Sequence, residues 1–369
     1  MNMSRIPFSC FPTIVCSGLF FVSGAAGAAS PAPDLDARFA STQGWLGADG
    51  IYSVALSNQR TAWIFSDTWT GVIKDNRREN PRMINNSVGI TSGTAPARFF
   101  YPADAGGKAA SLFTPPDGRG WFWPVASVLD SGVLRVFAWR IEKSAGDGAF
   151  GFKAFGTALA EIDNPADEPT AWRMRWRDVP VPPTPALFWG SFALVHEGYT
   201  YLYGYTDNGG KGLDFQRYMI LARAPAGQLG DFSAWRYYGK GAWLKDASQS
   251  ERLCPGVACE YSVTYLPSRK RFLLVTHDMF LSPKIVARTS ETPWGHWSDK
   301  SELFTCPEAD SKRGVFCYAA KHQPAFSTDE TLVISYAANG NDMKTVLNDP
   351  TLYVPRFIRV PASDLFRSR

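Results

Sequence analysis

Three acidic residues lie beside segments that have the composition of β-strands. Asp49 and Glu260 each precede an apolar stretch rich in β-branched and aromatic residues, and Asp67 follows one. Two facing carboxyl groups can cleave a glycosidic bond, because one protonates the leaving oxygen while the other activates water or attacks the anomeric carbon. Closely placed carboxyls also raise one pKa, which would keep Glu260 protonated near neutral pH. Asp49 and Asp67 are therefore candidates for base or nucleophile and pKa partner, and Glu260 is the candidate acid.

Aromatic residues could hold a sugar ring beside these acids. They make up 14% of the 369 residues, with 13 tryptophans, and aromatic faces stack on flat apolar surfaces. Trp69, Trp123 and Trp189 are the candidate platforms, with packing between sheets as the alternative for each. His322 is either a substrate contact or a hydrogen-bonded core histidine.

These hypotheses need a fold that brings distant residues together, since an isolated Asp-Gly such as Asp49-Gly50 is more typical of a turn. A pattern of apolar strand, polar turn and second strand recurs five times at similar intervals. The five pairs of segments are 51–56 with 61–65, 124–129 with 133–139, 190–195 with 199–204, 261–266 with 271–276, and 323–327 with 331–336.

Five such sheets are stabilised by stacking on one another, and radial closure protects their strand edges. The pattern therefore predicts an all-β, single-domain, five-bladed β-propeller over residues 30–369, with little helix. A pair of β-sandwiches is the alternative. The late segment 352–360 is expected to complete the blade that the N-terminal segment begins. In a propeller the residues before each hairpin meet at one mouth of the central channel, which would bring Asp49, Trp123, Trp189, Glu260 and His322 together, with Asp67 at the same rim.

The charge balance excludes some partners. Lys and Arg number 38 against 34 Asp and Glu, a net charge of +4, and no long basic run offers a surface for nucleic acid. The expected partner is a polysaccharide or oligosaccharide, bound by a monomer without cofactor or metal. No G-x-S-x-G, P-loop or H-E-x-x-H motif occurs, and the G-x-G-x-x-G match at 146–151 precedes no helix pattern, so it is predicted to be a loop.

The first 29 residues have the pattern of an export signal. A positive charge is followed by an apolar stretch and then by small residues at 24–29. A membrane anchor is the competing interpretation, but prolines and a glycine interrupt the apolar stretch. We therefore expect a secreted or periplasmic protein that does not stay inserted in a membrane.

Four cysteines remain after residue 29. In an oxidising compartment, the short separations favour two disulfides, Cys254 with Cys259 and Cys306 with Cys317, with buried free thiols as the alternative. A zinc site is not expected, because the spacings are not C-x2-C and no histidine completes a ligand pattern.

Eight short stretches also resemble, in order, those of secreted five-bladed propeller glycoside hydrolases, and most closely the endo-D-arabinanase-like family, first described as a domain of unknown function. They are 47–49, 63–68, 83–87, 123–124, 220–224, 259–263, 318–321 and 353–357. The resemblance spans residues 44–360. It implies that Asp49 and Asp67 match the N-terminal acidic pair, that Glu260 matches an acid of the fourth blade, and that Asn86 and Arg356 are substrate-binding residues.

One departure concerns the auxiliary aspartate of related propeller hydrolases, which the second and third hairpins lack. Either Asp67 takes that role, or the three-carboxylate arrangement does not apply. The function predicted from the sequence is a glycoside hydrolase that cleaves furanosidic, arabinan-like linkages in a cell-wall or exopolysaccharide glycan. The alternatives are a carbohydrate-binding propeller without catalysis, and a polysaccharide lyase with a Tyr or His base.

Overall fold

A computed structural model describes residues 29–57, 59–144, 151–180, 186–210, 214–279 and 282–366. All but the last residue of the predicted export signal (1–29), the predicted turn position Asn58 and most of the predicted loop at 146–151 lie outside the described residues. Within it the chain is all-β. The two α-helices, α1 (Pro33–Asp36) and α2 (Met343–Asn348), have four and six residues. None of the helices in the described part is long and apolar enough to cross a membrane.

The strands are numbered in chain order. They are β1 (Ser30–Pro31), β2 (Gln43–Ala48), β3 (Tyr52–Ala55), β4 (Arg60–Phe65), β5 (Thr68–Lys74), β6 (Arg77–Ile84), β7 (Ser87–Ser92), β8 (Arg98–Phe100), β9 (Trp121–Asp130), β10 (Val133–Lys143), β11 (Phe152–Ile162), β12 (Met174–Asp178), β13 (Phe188–His196), β14 (Tyr199–Asp207), β15 (Arg217–Pro225), β16 (Arg236–Gly239), β17 (Ala242–Leu244), β18 (Cys254–Pro255), β19 (Ser262–Leu266), β20 (Arg271–His277), β21 (Lys284–Ser290), β22 (Ser301–Thr305), β23 (Val315–His322), β24 (Thr331–Gly340) and β25 (Arg356–Pro361).

The described strands form five larger sheets and one small inserted sheet, and every pairing is antiparallel. Sheet I has the order β3-β4-β7-β8, sheet II β9-β10-β11-β12, and sheet III β13-β14-β15-β16-β17 with β18 beside β15. Sheet IV has the order β19-β20-β21-β22, and sheet V β23-β24-β25-β1. The inserted sheet has the order β2-β5-β6. Each larger sheet contains one of the five predicted repeats.

Four of the five predicted hairpins are confirmed, as β3-β4, β9-β10, β13-β14 and β19-β20. In the fifth, the second strand is β24, but the predicted first strand at 323–327 is wrong. Pro324–Phe326 forms a 3-10 turn, and the partner of β24 is β23, which ends at His322. The physical reason is Pro324, which has no N–H to donate to a sheet ladder and suits the first position of a helical turn.

The sequence pattern did not reveal the inserted sheet. The chain leaves sheet I after β4, forms β5 and β6, and returns at β7, while β2 precedes β3. Asp49 lies in the passage from β2 to β3, and Asp67 lies in the passage from β4 to β5. The two passages are hydrogen bonded, since Asp49 N donates to Asp67 O over 3.2 Å and Ser66 N donates to Asp49 O over 3.1 Å. The insertion therefore fixes the backbone of both acids side by side.

The first strands of successive sheets contact one another, in the order β3, β9, β13, β19 and β23. Sheet V then contacts sheet I through the buried side chain of Gln323. Its Nε2 donates to Ile51 O over 3.0 Å, and its Oε1 accepts a hydrogen bond from Ser53 Oγ. The contacts therefore return from the last sheet to the first.

The ends of the chain meet in sheet V. We expected segment 352–360 to complete a blade begun by the N-terminal segment. The two segments do share a sheet, but the N-terminal strand lies at its outer edge and does not begin it. β25 pairs with β24, its neighbour along the chain, and β1 adds at the outer edge of β25. Asp36 at the end of α1 holds the junction, because its Oδ1 accepts from Phe357 N over 2.8 Å and its Oδ2 accepts from Arg356 Nη1 over 3.2 Å.

Replacing Asp36 with alanine should lower the free energy of unfolding by about 1–3 kcal/mol, because it leaves the buried N–H of Phe357 without its acceptor and removes one of the partners of Arg356. Urea unfolding checks this. The matched control is Asp34→Ala, which removes an exposed pair with Arg359 and should change stability little. Equal effects of the two substitutions would contradict the role given to Asp36.

Candidate active site

The carboxylate of Asp49 is held by two tyrosines. Its Oδ2 accepts hydrogen bonds from Tyr318 Oη over 2.8 Å and from Tyr353 Oη over 2.9 Å. Its Oδ1 is buried and has no hydrogen-bond partner in the described part of the chain. Burial raises the pKa of Asp49 well above its usual range, and the charges of Asp67 and Glu260 raise it further. Two tyrosine donors thus fix one oxygen of Asp49, and no side chain of the described residues donates to the other.

Asp67 accepts from two different donors. Trp123 Nε1 donates to its Oδ1 over 2.7 Å, and Asn85 Nδ2 donates to the same oxygen over 3.3 Å. Burial raises the pKa of Asp67 to about 6, and these two donors oppose the increase. Trp123 lies in β9, the first strand of sheet II. It therefore contacts an acid that lies where the chain leaves sheet I.

Glu260 lies just before β19 in sheet IV. Its Oε1 accepts from Tyr52 Oη over 3.3 Å, and its Oε2 lies 3.9 Å from Lys321 Nζ. Burial raises the pKa of Glu260, and the charge of Lys321 counteracts this. The side chain as a whole is 13% exposed.

Lys321 contacts both the backbone beside Asp49 and the carboxyl group of Glu260. Its ammonium group is buried, donates to Gly50 O over 2.6 Å and to Ala319 O over 3.1 Å, and lies 4.1 Å from the centre of the Tyr52 ring. Burial lowers its pKa, and the charge of Glu260 raises it. Since Gly50 follows Asp49 directly, Lys321 ties the Asp49 backbone to the Glu260 carboxyl group. Acids that are far apart in the sequence therefore lie in one cluster.

This cluster, which we call the carboxyl cluster, consists of Asp49, Asp67 and Glu260. The charges of Asp67 and Glu260 oppose ionisation of Asp49, all three acids have raised pKa values, and the Lys321 ammonium lies beside Glu260. Such groups titrate together, and the cluster retains a proton at higher pH than isolated carboxyls do. It can therefore both donate and accept a proton near neutral pH.

Comparison with known proteins adds the family and the fold. The family model described as a domain of unknown function, DUF5005, matches residues 33–363. The chain belongs to the DUF5005 family. No curated protein matches it.

Solved structures resemble this DUF5005 chain along most of its length. A candidate hydrolase from Bacteroides ovatus ATCC 8483 is 20% identical and has a TM-score of 0.73, with 94% of this chain and 96% of that chain covered. The catalytic domain of the GH62 α-L-arabinofuranosidase from Coprinopsis cinerea is 10% identical and has a TM-score of 0.50, with 87% and 98% covered. At these identities the likeness establishes a shared fold and nothing about activity.

Two of the predicted sugar platforms of the DUF5005 chain lie at or near the carboxyl cluster. Trp123 is partly exposed and bonded to Asp67. Trp69 is 4% exposed and packs edge-to-face on Tyr353, so it supports a tyrosine that holds Asp49. We therefore assign Trp69 to the packing beneath the site, and Trp123 stays the candidate platform.

Four other predicted substrate-binding residues lie elsewhere. Trp189 has no exposed surface and packs against Trp235 and Tyr237. Asn86 is also fully buried, and its amide bonds the backbone of Phe113 and Phe122. Both side chains are occupied by contacts in the core. The prediction that Trp189 and Asn86 bind substrate is therefore replaced by a structural role for each.

His322 and Arg356 are corrected for similar reasons. The ring of His322 bonds Thr264 Oγ1 over 2.7 Å and Ser327 Oγ over 3.0 Å, and burial lowers its pKa to about 3. Arg356 pairs with Asp36 and Glu308 at the junction of the chain ends. His322 is therefore the hydrogen-bonded core histidine of the alternative interpretation, and Arg356 holds the two ends of the chain together.

The sequence pattern did not predict the tyrosines of the site, namely Tyr52, Tyr318 and Tyr353. Tyr52 offered a signal, because it lies three residues after Asp49 in a predicted strand. A second signal was the glycine at position 47. The structure explains it, because the φ of Gly47 is 142° and a Cβ there would collide with the carbonyl oxygen of Tyr353. Tyr318 was not recognised because the first strand of the fifth hairpin was predicted at 323–327, whereas the strand is β23 (Val315–His322).

One of the two favoured disulfides is present. Cys306 and Cys317 are bonded, whereas Cys254 and Cys259 are free. Cys254 packs in a cluster with tyrosines of sheet III, while Cys259 packs against the core of sheets I to III. The thiols thus face different cores. The one set of potential metal ligands within the described residues, Cys306, Glu308 and Cys317, includes both disulfide sulfurs, which cannot bind a metal as thiolates.

Replacing Asp67 with asparagine should stabilise the DUF5005 chain at pH 8 and have little effect near pH 4. Burial raises the pKa of Asp67 from 3.8 to about 6 in the folded state, so stability from its bound proton is present below 3.8 and lost as pH rises through 6. The neutral amide avoids that loss, a gain of up to about 3 kcal/mol. Melting temperatures from pH 4 to pH 8 check this, with exposed Asp163→Asn as control, and a destabilised variant at pH 8 would contradict it.

Proposed function

We propose that this chain is a glycoside hydrolase whose carboxyl cluster cleaves furanosidic linkages. The observation that carries the proposal is the convergence of Asp49 with Asp67 and Glu260, where the buried Lys321 ties the backbone beside Asp49 to Glu260. Raised pKa values suit a group that must hold a proton at neutral pH, and proximity of two carboxyls suits an oxocarbenium-like transition state. The substrate class we propose is an arabinan-like chain in a cell-wall or exopolysaccharide glycan.

The proposed architecture is a single-domain, five-bladed propeller over residues 30–369. Two observations support it: the first strands of sheets I to V contact in succession, and Gln323 joins sheet V to sheet I. In such a ring the carboxyl cluster lies where the first strands of sheets I and IV and the β23 strand of sheet V approach the axis. The inserted sheet then serves to present Asp49 and Asp67.

The proposed reaction consumes one water per bond. Glu260 gives its proton to the leaving oxygen, so the bond between that oxygen and the anomeric carbon breaks. In one route Asp49 takes a proton from water, the water oxygen bonds to the anomeric carbon, and proton exchange with solvent restores both acids. In the other route Asp49 bonds to the anomeric carbon as the leaving oxygen departs. The ionised Glu260 then takes a proton from water, whose oxygen displaces Asp49 and restores both acids. Asp67 raises the pKa of Asp49 by charge, which makes Asp49 a stronger base in the ionised form that the reaction requires. Trp123, which donates a hydrogen bond to Asp67, is the proposed platform for a sugar ring.

Several features favour carbohydrate as substrate and export as destination. The sequence resembles propeller glycosidases of the endo-D-arabinanase-like group, and a GH62 α-L-arabinofuranosidase shares the fold. The predicted signal peptide and the Cys306–Cys317 disulfide suit a secreted or periplasmic protein. The protein is proposed to act as a monomer without a cofactor.

The test is to incubate the purified protein with arabinans, galactans and bacterial exopolysaccharides and to measure new reducing ends. We expect release from at least one furanose-containing glycan. Binding of a glycan without cleavage would overturn the hydrolase proposal in favour of a carbohydrate-binding propeller. An unsaturated product that absorbs in the ultraviolet would identify a lyase instead.

Replacing Lys321 with methionine should move the high-pH limb of the kcat/KM profile to higher pH. The charge of Lys321 lowers the pKa of Glu260, so its removal raises that pKa and Glu260 keeps its proton to higher pH. Initial rates from pH 4 to pH 10 on the active glycan measure the shift, and a melting temperature verifies folding. A limb that stays in place, or moves to lower pH, would contradict the assignment of Glu260 as the acid.

A further inference from the structure

A second concave site lies on the outer strands of sheets III and IV. It is a cavity of about 450 Å³ between the β16-β17 hairpin, the segment 251–255 and the loop after β21. Side chains with chemistry to offer a ligand line it, namely Tyr238, Glu251, Arg252, Arg288, Trp294 and His296. The carboxyl cluster instead lies at the first strands of the sheets, so the two sites occupy different parts of the fold. We call the second site the tryptophan cavity.

The aromatic wall of this cavity is fixed in place. Tyr238 and Trp294 stack with ring centres 5.3 Å apart and planes 15° apart. Trp243 meets both rings edge-on, with centres 5.1 Å from Tyr238 and 5.9 Å from Trp294. The Arg223 guanidinium lies 4.0 Å from the Trp243 ring centre and supports it from behind. The partly exposed Trp294 ring is therefore held before any ligand arrives, which lowers the entropy cost of binding.

The polar groups of the cavity are also anchored. Arg288 Nη1 donates to Ser298 O over 2.7 Å, which ties the arginine to the loop that carries Trp294. Arg252 Nη2 donates to Asp207 O over 3.0 Å, and Glu251 Oε2 accepts from Lys240 N over 2.9 Å. Guanidinium N–H groups and a carboxylate beside a rigid aromatic wall match the alternating hydroxyl groups and C–H faces of a sugar chain.

We propose that the tryptophan cavity is a second carbohydrate-binding site that holds a distant part of the polysaccharide while another part is cleaved. The ligand class rests on the proposed function, since a glycan substrate supplies the chain to be held. The site would raise the local concentration of polymer at the carboxyl cluster by avidity. It would not affect short oligosaccharides, which cannot reach both places.

The experiment separates binding from cleavage by using the Asp49→Asn protein, which keeps its surface but lacks the proposed base. Affinity electrophoresis in gels containing linear arabinan, galactan or a bacterial exopolysaccharide gives an apparent Kd for each. We expect the further substitution Trp294→Ala to weaken binding of the retarding polymer about tenfold. Trp294→Phe should keep most of the affinity, and Trp176→Ala on sheet II is the matched tryptophan control.

The outcomes distinguish this inference from the proposed function. Loss of retardation on Trp294→Ala supports the tryptophan cavity even if the wild-type protein cleaves nothing. Equal retardation of the two proteins, with the melting temperature unchanged, overturns it even if the wild-type protein is an active hydrolase. Absence of retardation in all three gels also overturns it. In the active protein, kcat/KM for arabinotriose should be the same with and without Trp294→Ala.

Discussion

Replacing Asp49 with asparagine should lower kcat on the active glycan by about 10²–10⁴-fold, the range that general acid–base catalysis contributes. The amide oxygen can still accept the hydrogen bonds of Tyr318 and Tyr353, so the site should keep its shape. What is lost is the negative oxygen, Oδ1, that takes the proton of water or attacks the sugar. The Kd for the glycan should therefore change little while kcat falls.

Asp163→Asn provides the matched control, since it makes the same chemical change at an exposed position just after β11. It should leave kcat unchanged. Tyr318→Phe and Tyr353→Phe should reduce kcat less than Asp49→Asn does, because each removes only one donor that positions Asp49. Full activity of Asp49→Asn would remove Asp49 from the mechanism.

Replacing Glu260 with glutamine should have an effect that depends on the leaving group. On the natural glycan, whose leaving alcohol has a high pKa, kcat should fall by about 10²–10⁴-fold, because no proton reaches the leaving oxygen. On an aryl furanoside with an acidic phenol as leaving group, the loss should shrink to about tenfold or less. Steady-state kinetics of wild type and variant on both substrates measure the difference.

The comparison also assigns roles within the carboxyl cluster. Asp49→Asn should be equally defective on both substrates, since water or nucleophile activation is needed whatever the leaving group. If Glu260→Gln is equally defective on both substrates and Asp49→Asn is the variant that recovers on the aryl furanoside, the two roles are exchanged. Glu260→Gln should also retain the Tyr52 hydrogen bond, so its melting temperature serves as the folding control.

Much of the fold could be predicted from the alternation of apolar and polar residues. Four hairpins were located because a buried strand, a polar turn and a second strand leave a local signature. The fifth failed because the apolar segment beginning at Pro324 has strand-like composition but no N–H at its first residue. The inserted sheet was missed because β5 and β6 continue directly from a predicted strand, and the pattern does not show that the chain changes sheets.

The site was predictable only in part. Asp49, Asp67 and Glu260 could be found because acids at the ends of repeated strands are unusual. Trp189 and His322 were given substrate roles because a sequence does not show which side of a strand faces the core, and Asn86 was given one only by the family resemblance. Lys321 acts through three carbonyl or carboxyl oxygens that come from three separate segments, so no local pattern could have revealed its role.

Hydrolysis in water enriched in ¹⁸O tests the central claim, that the carboxyl cluster directs water to an anomeric carbon, most directly. Mass spectrometry of the products should find one ¹⁸O at the new reducing end and none on the released alcohol, and Asp49→Asn should form this labelled product about 10²–10⁴-fold more slowly. A label on the alcohol, or an unlabelled unsaturated sugar, would contradict the mechanism proposed for Asp49 and Glu260.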